Sequence, residues 1–453
     1  MKNKTIFALT ILAAACCMGS ISAQNPFVTN QFSADPTAKV FNGRVYVYPS
    51  HDIPTPPETS LRKDWFCMAD YHVFSSENLV DWVDHGMIVD QKQVPWVDAK
   101  SYSMWAPDCI ERNGKYYFYF PSNAKPVNNG RGGFGVGVGI SSKPEGPFVF
   151  EEKPVAGVNG IDPALFKDKD GEYYIYWVAR GLSVAKLKDN MLELATEPKS
   201  MQIDGLPKPS GFKEGPYLFE RNGIYYLTFP YVRNKTEELV YCTGDNPMGP
   251  FTYKGVIMDE SPTGCWTNHQ SMVEFKGQWY LFYHHNDLSP NFDKNRSIRV
   301  DSMHFNADGS IQKVVPTLRG VGLTQSTNKI QLDRYSALSS QGASIAFLDT
   351  TKRFDGWKTI LETPGAWVRY NAVQFAGVTP KNLELCVQSD TKSQLEVRLD
   401  KIDGPVVSKI SVEKGKTWNV VQSSVKGITP GKHDLFVSLV GKGNIQLDWV
   451  VFK

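Results

Sequence analysis

Residues 41–49 read FNGRVYVYP, a polar turn at Gly43 that leads directly into alternating aromatic and β-branched residues. An Asn-Gly or Asp-Gly pair before such an alternation predicts a β-hairpin, because both turn positions favour residues that tolerate positive φ. The same pattern returns four more times, as RNGKYYFYF at 112–120, KDGEYYIYW at 169–177, RNGIYYLTF at 221–229 and FKGQWYLFY at 275–283. The repeat predicts a region built from five similar hairpin units.

The spacing of these copies predicts the architecture. The turn glycines Gly43, Gly114, Gly171, Gly223 and Gly277 are separated by 71, 57, 52 and 54 residues. That period suits a four-stranded propeller blade with insertions, so we expect five blades around a central channel. The aromatic share of 12%, together with 37 Gly and 28 Pro, agrees with many short strands joined by tight turns.

A polar residue precedes each hairpin in a matching place. These residues stand eight, six, nine, nine and eight positions before the turn glycine, and they are Asp35, Asp108, Asp162, Glu214 and His269. A single Asp before Pro is usually a turn residue. Four acids and a histidine in register are different, because we expect them to meet at one mouth of the channel, where like charges repel. Their retention there indicates a functional site.

Carboxyl groups that face each other across a pocket are the equipment for glycosidic bond cleavage. One acid donates a proton to the leaving oxygen, while the other activates water or attacks carbon. A third acid nearby raises the pKa of the donor by repulsion. The sequence has no Gly-rich phosphate loop, no Gly-x-Ser-x-Gly elbow and no closely spaced Asp/His cluster, which disfavours phosphoryl transfer, serine hydrolysis and metal-only chemistry.

The motifs around these acids resemble glycoside hydrolase family 43. The resemblance spans about residues 27 to 320, and its motifs, one per blade, are SADPTAKVF, WAPD, GIDPALF, EGPYLF and TNHQSMVEF, followed by NRSIRVDSMHFNADGSI. It implies inverting hydrolysis of furanosides or xylosides, with Asp35 as general base, Glu214 as general acid and Asp162 as the residue that tunes the acid. The two main carboxyls should then be roughly 6.5–9.5 Å apart. Sucrose- and fructan-cleaving propellers fit less well, because their WMNDPNG-type and Glu-Cys motifs are replaced here.

Further positions are candidates for substrate binding. Trp105 in MWAPD is expected to wall the pocket, with inter-blade packing as the alternative, and Asp108 either contacts sugar hydroxyls or closes its blade. The resemblance places His269 where the family has a central histidine, often water-bridged to calcium or another ion, and Arg296 where an arginine binds substrate hydroxyls. His51 and Asp52 follow the first inner strand and are expected to line the mouth.

The C-terminal part predicts a second domain. After the linker-like stretch at 317–328, segments such as QLEVRLD and HDLFVSLV alternate apolar and polar residues, which is typical of a β-sandwich. The phrases AWVRYNAVQF, GKHDLFVSLVG and IQLDWVVF resemble carbohydrate-binding module family 6, whose members often hold a structural calcium near the sandwich edge. Trp367 and Trp449 are expected in the core, and Trp357 and Trp418 are candidate loop aromatics; a module that only buttresses the propeller is the alternative to one that binds sugar. We predict a leader at 1–23, a propeller at 24–325 and a jelly-roll-like sandwich at 326–453.

The N-terminus predicts export. Two lysines precede an apolar run at 6–17 that is too short to span a bilayer, and Ser22-Ala23 suits cleavage before Gln24; a lipidated Cys16 or Cys17 is the alternative. The protein should then be periplasmic or extracellular. Five cysteines remain after the leader without a C-x-x-C spacing, and buried free thiols are expected rather than a disulfide scaffold or zinc site.

Charge defines the partner class. The chain has 49 Lys and Arg against 47 Asp and Glu, and without Lys2 and Lys4 the two counts are equal. Nothing in this balance indicates nucleic acid or a membrane surface, so a neutral partner is expected.

The wording of the motifs and the appended sandwich most resemble enzymes that remove α-L-arabinofuranose from plant polysaccharides. A β-xylosidase, an exo-galactanase, an endo-arabinanase and a non-catalytic carbohydrate-binding propeller are the alternatives. The chemistry needs no cofactor, and a monomer is expected. The insertion at 53–61 and the Gly-rich run at 128–139 are the loops expected to set specificity.

Overall fold

The computed structural model describes residues 24–57, 59, 62–126, 132–208, 211, 213–377 and 379–453. The predicted leader lies outside the described residues, as do residues 58, 60, 61 and 128–131 of the two predicted mouth loops. Apart from short 3-10 turns at Gln91–Gln93 and Arg353–Asp355, the regular elements of the described part are strands. None of its helices is long and apolar enough to cross a membrane.

The first part of the chain forms five sheets in sequence order, one for each predicted repeat. The first has β1 (Ala34–Phe41), β2 (Arg44–Asp52), β3 (Met68–Ser76) and β4 (Val83–Asp90), and the second has β5 (Asp108–Arg112), β6 (Lys115–Asn123), β7 (Phe134–Ser141) and β8 (Val149–Phe150). The third has β9 (Ile161–Lys167), β10 (Tyr173–Val178), β11 (Leu182–Lys186) and β12 (Lys199–Ser200). The fourth has β13 (Ile203–Asp204), β14 (Tyr217–Arg221), β15 (Ile224–Val232), β16 (Glu237–Gly244) and β17 (Phe251–Met258), and the fifth has β18 (Ser271–Phe275), β19 (Gln278–His285) and β20 (Ser297–Met303).

The repeat turns form the first hairpin of each sheet, as predicted. In the first sheet, Asn42 has φ 51° and Gly43 has φ 75°, between the paired residues Phe41 and Arg44. Both turn residues also have positive φ in the second, fourth and fifth hairpins. The aromatic residues that follow each turn fill the space between sheets; the rings of Tyr48 and Phe118, for example, lie 5.7 Å apart.

The N-terminal segment closes the ring of sheets. The side chain of Asn25 donates to the carbonyl of Val300 at 2.9 Å and accepts from its N–H at 2.9 Å. The N–H of Phe27 donates to Ile298 O, and the N–H of Ser33 donates to Arg296 O. Residues 25–33 thus run along the outer edge of β20, which the three-stranded fifth sheet would otherwise leave unpaired.

The C-terminal part is a sandwich of two six-stranded sheets. One contains β21 (Thr324–Gln325), β23 (Ala337–Leu338), β26 (Trp367–Phe375), β28 (Ser393–Leu399), β29 (Val406–Val412) and β31 (Gly431–Leu439). The other contains β22 (Ile330–Gln331), β24 (Ala343–Phe347), β25 (Trp357–Leu361), β27 (Asn382–Ser389), β30 (Gly415–Ser424) and β32 (Ile445–Phe452). Their inner faces enclose one apolar core that includes Leu385, Val437 and Val450. The predicted all-β class, with a propeller followed by a sandwich, is confirmed.

Buried arginines join the two parts. The Nη1 of Arg334, from the sandwich, donates to the carbonyl of Asn25 at 2.9 Å, and Arg319 Nε donates to Asn371 O at 3.1 Å. Thr324 already pairs with Val373 of the sandwich. The exact division at residue 325 stays a prediction.

The cysteines of the described chain are free and buried, as expected. They are Cys67, Cys109, Cys242, Cys265 and Cys386.

Candidate active site

A pocket with a cavity volume of about 230 Å³ lies where the N-terminal ends of the inner strands meet. It brings together six of the seven predicted site residues, which come from all five sheets or the segments leading into them. Its lining consists of Asp35, Trp65, Phe66, Met68, Trp105, Ala106, Ile161, Asp162, Glu214, Trp266, Thr267, His269 and Arg296.

Backbone geometry turns the acids toward this pocket. Asp35 and Asp162 have φ values of 48° and 55°, and each sits at an irregularity in the pairing of its strand, immediately before a proline. Asp tolerates this left-handed region better than most residues with a side chain. In the fourth sheet the left-handed position before proline is Gly215, with φ 49°, so Glu214 projects from one residue earlier. A Cβ on Gly215 would lie 2.9 Å from His269 Nδ1, which explains a glycine at this position.

Asp35 is held as a carboxylate. Ser50 Oγ donates to Oδ2 at 2.8 Å, Arg296 Nη1 donates to Oδ1 at 2.8 Å, and the N–H of Asp35 donates to Nδ1 of the buried His284 at 3.1 Å. Burial by itself raises the pKa of Asp35, but the charge of the neighbouring Arg296, with the hydrogen bond from Ser50 among the further contributions, lowers it by more than burial raises it. The net pKa of Asp35 therefore lies below its ordinary value, and the group is ionised at neutral pH.

Asp52 fixes the arginine that pairs with Asp35. Its carboxylate accepts from Arg296 Nε at 3.0 Å, from Nη2 at 2.9 Å and from the backbone N–H at 2.7 Å. Asp52 is buried and absent from the pocket lining, so it supports the pocket from beneath rather than lining its mouth. His51 projects elsewhere, toward Asp70. Sequence reasoning singled out Asp52 but missed this role, because Arg296 is 244 residues away.

Glu214 differs from Asp35, because its surroundings favour the protonated carboxyl. Burial, and next the neighbouring Glu237 carboxyl, raises the pKa of Glu214 well above its ordinary value. Burial and the charge of Glu214 raise the pKa of Asp162 to about 7, although the N–H of Gly215 donates to Asp162 Oδ2 at 2.9 Å. Asp162 and Glu214 repel each other, so a proton is retained on this side of the pocket at neutral pH.

Glu237 is a functional candidate that the sequence did not reveal. It begins β16, is 1% exposed, and accepts from the N–H of Asn268 at 2.6 Å through Oε2. Its side chain shares a hydrogen bond with the carboxyl of Glu214, and burial raises the pKa of Glu237 to about 8. Its sequence context, KTEELVY, resembles any strand start, so only its contacts with Asn268 and Glu214 in the folded chain identify it.

His269 lines the pocket from the fifth sheet. Its neighbour Gln270 donates from Nε2 to Gly215 O at 2.9 Å, while the Oε1 of Gln270 is buried without a hydrogen-bond partner among the described residues. Calcium takes six to eight oxygen ligands. Within the described residues, His269 does not belong to any cluster of three potential metal ligands, and the sandwich contains no such cluster either. These donors do not fit a calcium ion held directly by side chains; the water-bridged ion at His269 stays a prediction.

Asp108 does not reach the pocket. It is fully buried, and its Oδ2 lies 3.1 Å from Lys39 Nζ and accepts from the N–H of Leu165 at 2.6 Å. Lys39 also donates to Leu165 O at 3.2 Å. Asp108 thus links the first three sheets inside the channel, which favours the blade-closing role over the predicted contact with sugar hydroxyls.

Aromatic side chains wall the pocket. Trp105 lines it as predicted, and its ring also packs 4.8 Å from that of Phe134. Trp65, Phe66 and the 37% exposed Trp266 join it and were missed. Trp65 and Phe66 begin four residues after the end of the predicted loop insertion at 53–61, which is the signal that pointed toward them.

The sandwich tryptophans are placed differently from their prediction. Trp357 is buried in β25, with Arg334 over its ring at 4.3 Å, so it is a packing residue and not a loop aromatic. Trp418 lies on β30 and is partly exposed. Trp367 and Trp449 are also only partly buried, and Lys329 lies over the ring of Trp449 at 4.2 Å.

The chemistry available to the pocket follows from these states. An ionised carboxylate and a protonated carboxyl line the same small aromatic cavity, which is the pairing required for acid and base catalysis at one bond.

Known proteins share both parts of the chain. The sequence profile of glycosyl hydrolases family 43 matches residues 23–311, and that of carbohydrate binding module family 6 matches residues 339–453. A xylosidase/arabinosidase 43A of Humicola insolens is 38% identical over 63% of this chain and 98% of that protein. An arabinoxylan arabinofuranohydrolase of Bacillus subtilis (strain 168) is 26% identical over 99% of this chain and 94% of that protein.

A solved structure extends this similarity to three dimensions. The crystal structure of a family 43 β-xylosidase/α-arabinofuranosidase from a compost microbial metagenome, in complex with xylotriose and in a calcium-free form, is 39% identical with a TM-score of 0.58. The match covers 65% of this chain and 97% of that one. The chain therefore belongs to glycosyl hydrolases family 43, with a C-terminal region of carbohydrate binding module family 6.

Proposed function

We propose that this protein is an inverting glycosidase that removes terminal α-L-arabinofuranosyl residues from plant cell-wall polysaccharides or oligosaccharides. Asp35 is the general base, Glu214 the general acid, and Asp162 the group that raises the pKa of the acid. The observation that carries this proposal is that Asp35 and Glu214 line one pocket, where the surroundings lower the pKa of Asp35 and raise that of Glu214.

The reaction is a single displacement. Asp35 accepts a proton from a water molecule as the water oxygen bonds to the anomeric carbon. Glu214 transfers its proton to the glycosidic oxygen as the bond from that oxygen to the anomeric carbon breaks, so the leaving sugar departs as an alcohol. The configuration inverts because water attacks the face opposite the leaving group.

The surroundings support each role. The bidentate contact of Arg296 with Asp52 holds the guanidinium against Asp35, which keeps the base ionised and fixed. After burial, Glu237 raises the pKa of Glu214 through its charge and a side-chain hydrogen bond, and the carboxyls of Glu214 and Asp162 repel each other. We propose that Trp105 and Trp266 pack against sugar faces, while His269 and Arg296 contact hydroxyls.

Aryl glycosides with different leaving groups test the assignment of acid and base. In Glu214→Gln, substrates with a poor leaving group should lose about 10³-fold in kcat, and a dinitrophenyl glycoside should lose far less, because its departure needs no proton. Asp35→Asn should lose activity equally on both substrates, since water activation is needed in each case. Equal losses for Glu214→Gln on both substrates would exclude it as the acid.

The sugar is tested separately. Proton NMR of the first product released from arabinoxylan, arabinan and xylo-oligosaccharides should show free β-arabinose from α-linked material. β-Xylosidase activity is the second candidate, because relatives with 36–38% identity are named xylosidase/arabinosidase or β-xylosidase. Early release of α-xylose from β-linked oligosaccharides would support that candidate with the same mechanism. A product that retains the configuration of its substrate would contradict the mechanism.

A non-catalytic carbohydrate-binding role predicts no turnover on any of these substrates, together with binding that survives Glu214→Gln. We further propose that the protein is exported, as the leader-like segment at 1–23 predicts, and that it acts as a monomer. N-terminal sequencing of the mature protein and light scattering test these two points.

A further inference from the structure

A second cluster of chemically active side chains lies outside the pocket, on the first sheet. Asp70 and His72 are two residues apart on β3, so their side chains project from the same face of the sheet. His51 on the adjacent β2 meets them, with its Nδ1 2.7 Å from Asp70 Oδ1. Within the described residues these three form the one group of at least three His, Cys, Asp or Glu side chains whose ligand atoms all lie within 4.8 Å of one another.

The third member has no partner of its own in this cluster. His72 Nε2 lies 3.8 Å from Asp70 Oδ1, which is beyond hydrogen-bond distance. A simple His-Asp hydrogen bond accounts for the contact of Asp70 with His51. It does not explain why His72 also points toward Asp70. The pair between His433 and Asp400 in the sandwich, at 2.9 Å, has no third ligand of this kind among the described residues.

A carboxylate lies behind the ring of His72. Asp84 Oδ1 on β4 lies 3.5 Å from His72 Nδ1, and Asn30 Nδ2 donates to the other Asp84 oxygen at 3.4 Å. A carboxylate on one imidazole nitrogen is the usual arrangement behind a histidine that binds a metal through the other nitrogen, because it fixes both ring and tautomer.

The donors define the class of ion. Two imidazole nitrogens and one carboxylate suit zinc and neighbouring transition-metal dications. Calcium and magnesium prefer oxygen ligands and are disfavoured. Ligand atoms about 2.0–2.2 Å from a common zinc ion lie closer together than 4.8 Å, so small side-chain rotations complete the site. The side chains of His51, Asp70 and His72 are 21%, 15% and 18% exposed, which leaves room for a water as the fourth ligand.

We propose that His51, Asp70 and His72 bind one transition-metal dication of the zinc class. The ion replaces the proton shared by His51 and Asp70 and recruits His72 Nε2. It ties β2 to β3 beside the active site, because the residues on either side of His51 are Ser50, which donates to Asp35, and Asp52, which accepts from Arg296. This site is distinct from His269, and it does not depend on which sugar the enzyme cleaves.

Zinc titration of the untagged full chain, stripped with EDTA, tests the proposal. We expect one zinc ion per chain by competition against a chromophoric chelator, and a rise in Tm of several degrees when zinc is in excess. His72→Gln and Asp70→Asn should each weaken zinc binding by about 100-fold. His433→Gln, a matched change in a two-residue pair, and His269→Gln should leave the affinity unchanged.

Two results would overturn the proposal: no stoichiometric zinc binding by the parent protein, or binding that His72→Gln leaves intact. Equal Tm values of parent and variants in EDTA show that lost binding is not lost folding. If His72→Gln does not fold, anomalous diffraction at the zinc edge on parent crystals decides the matter, because the ion must then lie within bonding distance of all three side chains.

Discussion

The Nη1 of Arg296 lies 2.8 Å from the Oδ1 of Asp35, in the wall of the pocket between the first and fifth sheets. The same guanidinium donates from Nε and Nη2 to the buried carboxylate of Asp52. These two bonds fix its position and leave Nη1 to donate to Asp35, the proposed base. A planar fork with several donors can do this, whereas an ammonium group cannot. The charge of Arg296 offsets the effect of burial on Asp35.

Arg296→Lys should therefore shift the acid limb of the pH–activity profile. Asp35 acts as an ionised base, so activity is lost as pH falls through its pKa. Arg296 lowers that pKa, and weakening the contact raises it, which moves the acid limb of kcat/KM to higher pH. We also expect a loss of about 10²-fold at neutral pH from mispositioning of the base.

Arg299→Lys is the matched control for this change. Arg299 is likewise a buried arginine and lies in β20, three residues after Arg296, but it pairs with Asp287 at 3.5 Å and does not line the pocket. Arg299→Lys should reduce the stability of the protein and leave both the acid and the basic limb of the pH–activity profile in place. An acid limb that stays in place in Arg296→Lys would contradict the role assigned to Arg296.

Glu237→Gln should shift the other limb. Glu214 acts protonated, so activity is lost as pH rises through its pKa. Glu237 raises that pKa, and its neutral replacement lowers it, which moves the basic limb to lower pH while the acid limb stays in place. Measuring kcat/KM from pH 4 to 9 on a substrate with a poor leaving group checks this.

Glu238→Gln provides the comparison, because Glu238 is the next residue, is buried, and pairs with Arg233 at 3.1 Å away from the pocket. Its profile should match that of the parent. If both glutamine variants shift equally, the effect is general and Glu237 has no specific influence on the acid.

The sequence predicted the features that depend on local chemistry. Asn-Gly turns before aromatic alternation specify hairpins through the backbone alone, and the acids were found because each stands six to nine residues before its turn glycine. Glu237 was missed because its meaning arises from the packing of distant segments. The expectation that no Asp/His cluster occurs at short spacing overlooked Asp70 and His72, and only the pairing of β2 with β3 brings His51 to them. Asp108 was a candidate for the pocket although it stands six residues before its turn glycine, where the other acids stand eight or nine, and the pattern holds no sign of Lys39 beside it.

Asp108→Asn should reduce stability and leave substrate binding unchanged. The change leaves the Lys39 ammonium buried without its counter-charge, which typically costs about 3–5 kcal/mol. We expect a lower midpoint of urea unfolding but an unchanged KM for the folded enzyme. Asp189→Asn, which breaks the exposed pair with Arg112, should cost less than about 1 kcal/mol. A raised KM in Asp108→Asn with normal stability would restore the role in binding sugar.

Gly215→Ala should damage the acid side of the pocket. Gly215 has φ 49°, and an added Cβ would lie 2.9 Å from His269 Nδ1 and 3.0 Å from Pro230 Cδ. Two costs combine: left-handed strain of about 1 kcal/mol, and a displacement that moves Glu214, Asp162 or His269. Because Gly215 N–H donates to Asp162, we expect a fall in kcat/KM of at least about tenfold as well as reduced stability.

Gly223→Ala separates the two costs of Gly215→Ala, since Gly223 has φ 82° in the hairpin turn of the same sheet with nothing within 4 Å of its added Cβ. It should lose a similar strain energy and keep its activity. Equal activity in the two variants, measured on folded protein, would show that the close approach of Gly215 to His269 has no part in positioning the acid.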